Sequence, residues 1–137
     1  MRSFDAIDAE IDSLADHADA QLAAARLLAI GEEVLGRWIV ARGGSPAAGE
    51  REGFRLLDLH HQGAKGVPSF NACRETCREI AYHYNLICLQ PADASSARNQ
   101  RMMALLARHL TLFVGGKMEV EGLGEFCCAS RPLHAES

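Results

Sequence analysis

The chain has 137 residues, enough for one domain to bury a core without disulfide or metal staples. Hydrophobic residues make up 48% and charged residues 23%, which excludes a largely disordered chain. The formal net charge of −4 argues against a dedicated nucleic-acid binder, and no run approaches the roughly 18 apolar residues that a membrane span needs.

The start, Met1 to Asp5, leads into an acidic amphipathic segment and not into an apolar leader core, so a cytoplasmic location is expected. Ile7, Ile11, Leu14, Ala18, Leu22 and Ala25 then recur at steps of three and four, the mark of one buried helix face. Leu27, Ile30, Val34 and Trp38 continue the pattern beside a second row of Leu28, Leu35 and Ile39. Read as one helix, this stretch of roughly 38 residues would be about 57 Å long. Gly31 and Gly36 are the expected points of any break, at about 1 kcal/mol each relative to alanine. Without a break, the helix would overhang its partners, and a homodimer would bury the overhang.

Gly43-Gly44-Ser45-Pro46 ends this segment and restarts the chain, predicting a second helix from Pro46 to about Ala64, with Phe54, Leu57, His61 and Ala64 on one stripe. Ser69 is the expected cap of a third helix reaching Leu89, stopped by Gln90-Pro91. A fourth begins near Asp93 to Ser96, carries Met103, Leu106, Leu110 and Phe113, and is expected to end at Gly115-Gly116. Residues 117–137 read as a short irregular or β-like tail packed on the bundle. The expected fold is all-α: one domain over residues 1–137, an antiparallel bundle of about four helices with a long N-terminal helix.

Chemistry concentrates on the third helix. Five cysteines in a chain of this kind read as free thiols, and the odd count agrees. Cys73 and Cys77 are four apart, so their sulfurs project about one turn apart from one helix face, a spacing that can chelate Zn²⁺ or Cu⁺. His61 and Cys73 lie at comparable distances on either side of Pro68, which would put His61 in the same layer of an antiparallel hairpin, with Cys127, Cys128 or solvent as a fourth ligand. The competing reading is packing, because Phe70, Cys73, Cys77, Ile80, Tyr84 and Ile87 share one arc, and a free cysteine there behaves as a small hydrophobe. His83 falls about 80° from Cys73 and about 120° from Cys77, which removes it as a ligand with either.

Other chemistries fail on spacing. Lys65-Gly66 follows His61 one position out of register for a phosphorylatable bundle histidine. Glu79 and His83 are four apart and unrepeated, unlike the Glu-x-x-His pairs of a di-iron site, and Gly115-Gly116-Lys117 lacks the rest of a phosphate loop. Arg74, Glu75, Arg78 and Glu79 read as a solvated face. The leading functional expectation is therefore a non-catalytic module that binds a partner or self-associates. The alternative is a metal-binding or redox-responsive thiol protein using Cys73 and Cys77 with His61. An enzyme with an inter-helix pocket, drawing on His61, His83, Tyr84 and Glu79, comes third.

Overall fold

The computed structural model describes residues 1–123 of the chain. These form α1 (Phe4–Ala15), α2 (Ala20–Ala41), α3 (Arg55–Ala64), a 3-10 turn (Pro68–Cys73), α4 (Arg74–Leu89) and α5 (Ser96–Val120). The fold is all-α; among the described residues a lone bridge between Arg51 and Phe54 is the one β-type pairing. No described helix is long and apolar enough to cross a membrane.

Ser3 caps α1, its Oγ accepting from the Ala6 amide at 3.1 Å, and Ile7, Ile11 and Leu14 are buried on one face. The single long first helix expected from periodicity is two helices. The break falls at Asp16 to Asp19 and not at either glycine, because the Asp19 carboxylate accepts from the Leu22 amide at 3.0 Å and starts α2 afresh. Gln100 of α5 closes this corner, its Nε2 donating to Leu14 O at 2.8 Å and to His17 O at 2.9 Å. With the helix folded back at Asp16, the overhang is gone, and the reason for expecting a second copy to cover it goes too.

The α2 helix runs unbroken through Gly31 and Gly36. Gly31 is an approach point: a Cβ there would stand 2.8 Å from Leu56 Cδ1, so the missing side chain lets α3 lie against α2.

The second predicted helix is half as long as the sequence suggested. Residues 44–54 form a loop, since Gly49 and Gly53 interrupt a stretch with few apolar residues, and Gly53 adopts a φ of 85°. The loop is tied to α3 by polar contacts: Ala47 N–H donates to Gln62 Oε1 at 2.8 Å, Gln62 Nε2 donates to Ser45 O at 2.7 Å, and Arg55 Nε donates to Ala47 O at 2.9 Å. Ser69 does not cap the next helix. Pro68 instead opens the 3-10 turn, and the α-helical bonding pattern begins at Arg74, with Cys73 in the N-cap position.

The last helix continues past Gly115-Gly116 to Val120, so residues 117–120 are helical and not tail. Val114 and Met118 are both buried, and the packing of that face offsets the low helix propensity of the two glycines. Gly122, at φ 67°, ends it, and the Leu123 amide donates back to Met118 O at 2.8 Å. The rest of the expected tail, including Cys127 and Cys128, lies outside the described residues.

The α5 helix packs against α1, α2 and α4, and α2 also packs against α3 and α4. In the middle the Trp38 and Phe70 rings stack with centroids 4.8 Å apart, while Phe113 meets Phe70 edge-on at 5.5 Å. The buried Trp38 Nε1–H donates to Gly63 O at 2.9 Å. Gly63 has no side chain to intrude: a Cβ would meet Trp38 Cδ1 at 3.0 Å and Phe70 Cε2 at 3.2 Å. This aromatic layer fixes the neighbouring turn that carries Cys73.

Candidate thiol site

Cys73 and Cys77 are free and lie in the core, 2% and 0% exposed. The junction of the 3-10 turn and α4 sets their geometry. Cys73 sits at the N-cap with φ −98° and ψ 9°, and Cys77 follows one helical turn later on the inward face. As a thiol, Cys73 donates to Phe70 O at 3.3 Å. His60 of α3, 4% exposed, reaches the same oxygen with Nε2 at 3.2 Å. Because a carbonyl oxygen only accepts, this contact puts the proton on Nε2. The imidazole also stacks on the Phe70 ring at 5.6 Å.

The two thiols are electrostatically unequal. The Cys77 thiol one turn further on can act as donor to a Cys73 thiolate and stabilises it most, and His60 beside the pair stabilises it further. These outweigh burial and bring the Cys73 pKa down to about 6. Cys77 moves the opposite way, well above the ordinary thiol value, because it is the donor to Cys73 and is desolvated. Both directions favour ionisation of Cys73 over Cys77.

His61 does not join this layer. It is exposed, and its neighbour His60 occupies the position beside Cys73. The stripe that α3 buries is Leu56, Leu59, His60 and Gly63 together with Leu57, rotated from the Phe54–Leu57–His61–Ala64 stripe expected from sequence. Among the described residues no group of three or more His, Cys, Asp or Glu side chains is arranged to hold a metal ion. His83 is turned to its own helix, with Nδ1 2.8 Å from Glu79 O, and Tyr84 packs edge-on against Phe54 at 5.9 Å. Cys88 interacts with Tyr84, pushing the phenol pKa up. These groups do not converge with His60 and the Cys73–Cys77 pair.

Outside the thiols, a cleft of about 320 Å³ opens between the 51–54 turn, α3 and the start of α4. Arg51, Glu52, Leu57, His60, His61, Asn71, Arg74 and Arg78 line it. No periodic pattern marks it, because its walls come from three segments brought together by the loop before α3. His60 is the residue common to the cleft and the thiol layer. No known protein family, curated protein or solved structure matches the chain.

Proposed function

We propose that the protein is a dithiol redox protein in which Cys73 is the attacking thiolate and Cys77 the resolving thiol. The observation that carries this reading is the placement of two buried free thiols four residues apart at the head of α4, with His60 and Cys73 both on the Phe70 carbonyl oxygen. A helix places residues four apart with Cα atoms about 6 Å and Cβ atoms about 5–6 Å from each other, so the Cα span suits a disulfide while the Cβ atoms must close to about 4 Å, a shift that falls on Cys73 at the non-helical N-cap of α4. The near-complete burial of both sulfurs favours a small oxidant, a hydroperoxide, over a protein disulfide.

In the reaction, the Cys73 thiolate attacks the terminal peroxide oxygen, the O–O bond breaks, and the alkoxide leaves as an alcohol after taking a proton. Cys77, giving up its proton, then attacks the Cys73 sulfenic sulfur. A disulfide forms and hydroxide departs with that proton as water. Overall, two thiols and one hydroperoxide give one disulfide, one alcohol and one water.

The test treats the reduced chain with hydrogen peroxide under non-denaturing conditions. The expected product has lost two hydrogens by intact mass, with the bond mapped between Cys73 and Cys77. Cys77→Ser is expected to stop at a dimedone-trapped sulfenic acid on Cys73, and Cys73→Ser to stay reduced at residue 77. Thiols that remain unreacted in the folded chain and oxidise only after unfolding would make the pair a packing feature and end the proposal.

A further inference from the structure

We infer that the cleft formed by Arg51, His61, Asn71, Arg74 and Arg78 is a binding site for a small polyanionic molecule, recognised through its carboxylate or phosphate oxygens. The site goes beyond the dithiol reading and does not rest on it. Three guanidinium groups face one carboxylate, that of Glu52, in a chain whose overall charge is negative. Positive charge is therefore concentrated here against the trend of the molecule.

The partners of those guanidinium groups leave donors to spare. Arg78 pairs with Glu52 at 3.0 Å through one nitrogen, and Arg51 approaches Asp58 at 3.8 Å. Arg74 has no ion pair or hydrogen bond from its side chain among the described residues, and the same holds for the Asn71 amide and the His61 ring. A guanidinium offers five N–H donors in a planar fork that matches an oxoanion, so Arg74 and the free edge of Arg78 suit two oxygens of one group. Asn71 and His61 supply further polar atoms beside them. Leu57 and His60, both buried, form the floor against which the body of a ligand can lie. The volume of about 320 Å³ is that of a small-molecule pocket, enough for a di- or tricarboxylate or a small phosphate ester.

The neighbouring surface restricts the ligand further. Glu75 and Glu79, with Tyr82 and Asn85, line the groove on the other side of Arg78. An extended polyanion running along α4 would meet these carboxylates, whereas a compact one held between Arg51, Arg74 and Arg78 would not.

Calorimetric titration of the full chain with pyrophosphate and, separately, with citrate tests the site and distinguishes phosphate from carboxylate recognition. Spermidine serves as the cationic control. Saturable binding of at least one of the two anions is expected, with none of spermidine. Loss of a charge-assisted contact should weaken binding about ten-fold or more in Arg74→Ala, while Arg98→Ala on α5, away from the cleft, should leave it unchanged. Arg74 is exposed and without side-chain partners, so circular dichroism of Arg74→Ala should match the parent. Binding should persist in Cys73→Ser, which separates this site from the thiol chemistry. Absence of saturable binding of both anions at millimolar concentration, or equal affinity in the parent and Arg74→Ala, overturns the inference.

Discussion

His60 and Cys73 meet on one acceptor: His60 Nε2 lies 3.2 Å and Cys73 Sγ 3.3 Å from the carbonyl oxygen of Phe70. A carbonyl in the middle of the 3-10 turn thus holds an imidazole and a thiol side by side, ahead of α4. The consequence is a sulfur whose ionisation depends on two neighbours, Cys77 first and His60 second.

Ionisation of Cys73 can be followed by the ultraviolet absorbance of the thiolate in the folded chain. A midpoint near 6 is expected in the parent. Cys77→Ala removes the main donor to the thiolate and should move the midpoint up, and His60→Phe should do so by a smaller amount. Cys77→Ser keeps a donor in place and should shift it least. If all three variants titrate like an ordinary cysteine near 8.5, and the parent does as well, the pair is electrostatically inert.

Stability should follow the same asymmetry. The folded-state pKa of Cys73 lies below its unfolded value, so between about 6 and about 8.5 the unfolded chain binds more protons and stability rises with pH. Cys77 is raised, so its contribution is complete below the unfolded thiol value and declines above it. Urea denaturation at stepped pH should therefore show stability climbing towards the unfolded thiol pKa and levelling or turning down beyond it. In Cys73→Ser the climb should be absent.

Gly63→Ala separates helix propensity from packing. The added methyl favours α3 by about 1 kcal/mol, yet it would lie 3.0 Å from a rigid Trp38 ring carbon and 3.2 Å from Phe70. Overpacking of this kind costs about 1–3 kcal/mol, so a net loss of roughly 1 kcal/mol is expected in chemical denaturation. Phe70 carries the carbonyl shared by His60 and Cys73, so the thiolate midpoint should move as well. A more stable variant with an unchanged midpoint would show that the aromatic layer does not set the site.

The inward face of α4 was readable because Phe70, Cys73, Cys77 and Ile80 keep one helical register, and all four are buried. The histidine beside them was misread by a single position. Gly63 is a contact residue, and counting it in the pattern gives Leu56, Leu59, His60 and Gly63, the row that α3 buries. The break between α1 and α2 was likewise assigned to the glycines, although Asp19 is a side-chain cap and Gly31 serves close packing. In both places the glycine is used sterically, which helix propensity does not register. The arginine cleft had no periodic signature, since Arg51 comes from an irregular loop while Arg74 and Arg78 come from a helix face that resembles any solvated one.

Gln100 is the buried polar group on which the α1–α2 corner depends. It is 4% exposed and its amide serves two carbonyl oxygens, Leu14 O in the last turn of α1 and His17 O in the connection to α2. Gln100→Leu keeps the bulk and removes both donations; Leu14 O still accepts from the His17 amide at 3.3 Å, so the cost is that of two lost hydrogen bonds, about 1–3 kcal/mol in all. Gln100→Glu should cost at least as much, because a carboxylate would face two carbonyl oxygens, and its loss of stability should shrink at acidic pH as the carboxyl protonates. Thermal and urea unfolding measure both. Changes within about 0.5 kcal/mol would mean that water satisfies the corner without Gln100.

The cleft and the thiol pair share His60, and that shared wall predicts that they are energetically coupled. A polyanion held by Arg74 and Arg78 adds negative charge on one side of His60 while the Cys73 thiolate lies on the other. Like charges disfavour each other, so saturating pyrophosphate should raise the thiolate midpoint of Cys73 above its value near 6. Linkage requires the converse: pyrophosphate should bind more weakly as pH rises through that midpoint, by the same factor. In Cys73→Ser this part of the pH dependence should vanish while binding remains. Added salt should reduce the coupling if the field reaches across solvent, and leave most of it if it passes through the buried imidazole. A thiolate midpoint unmoved by bound pyrophosphate would show the two sites to be independent despite sharing a residue.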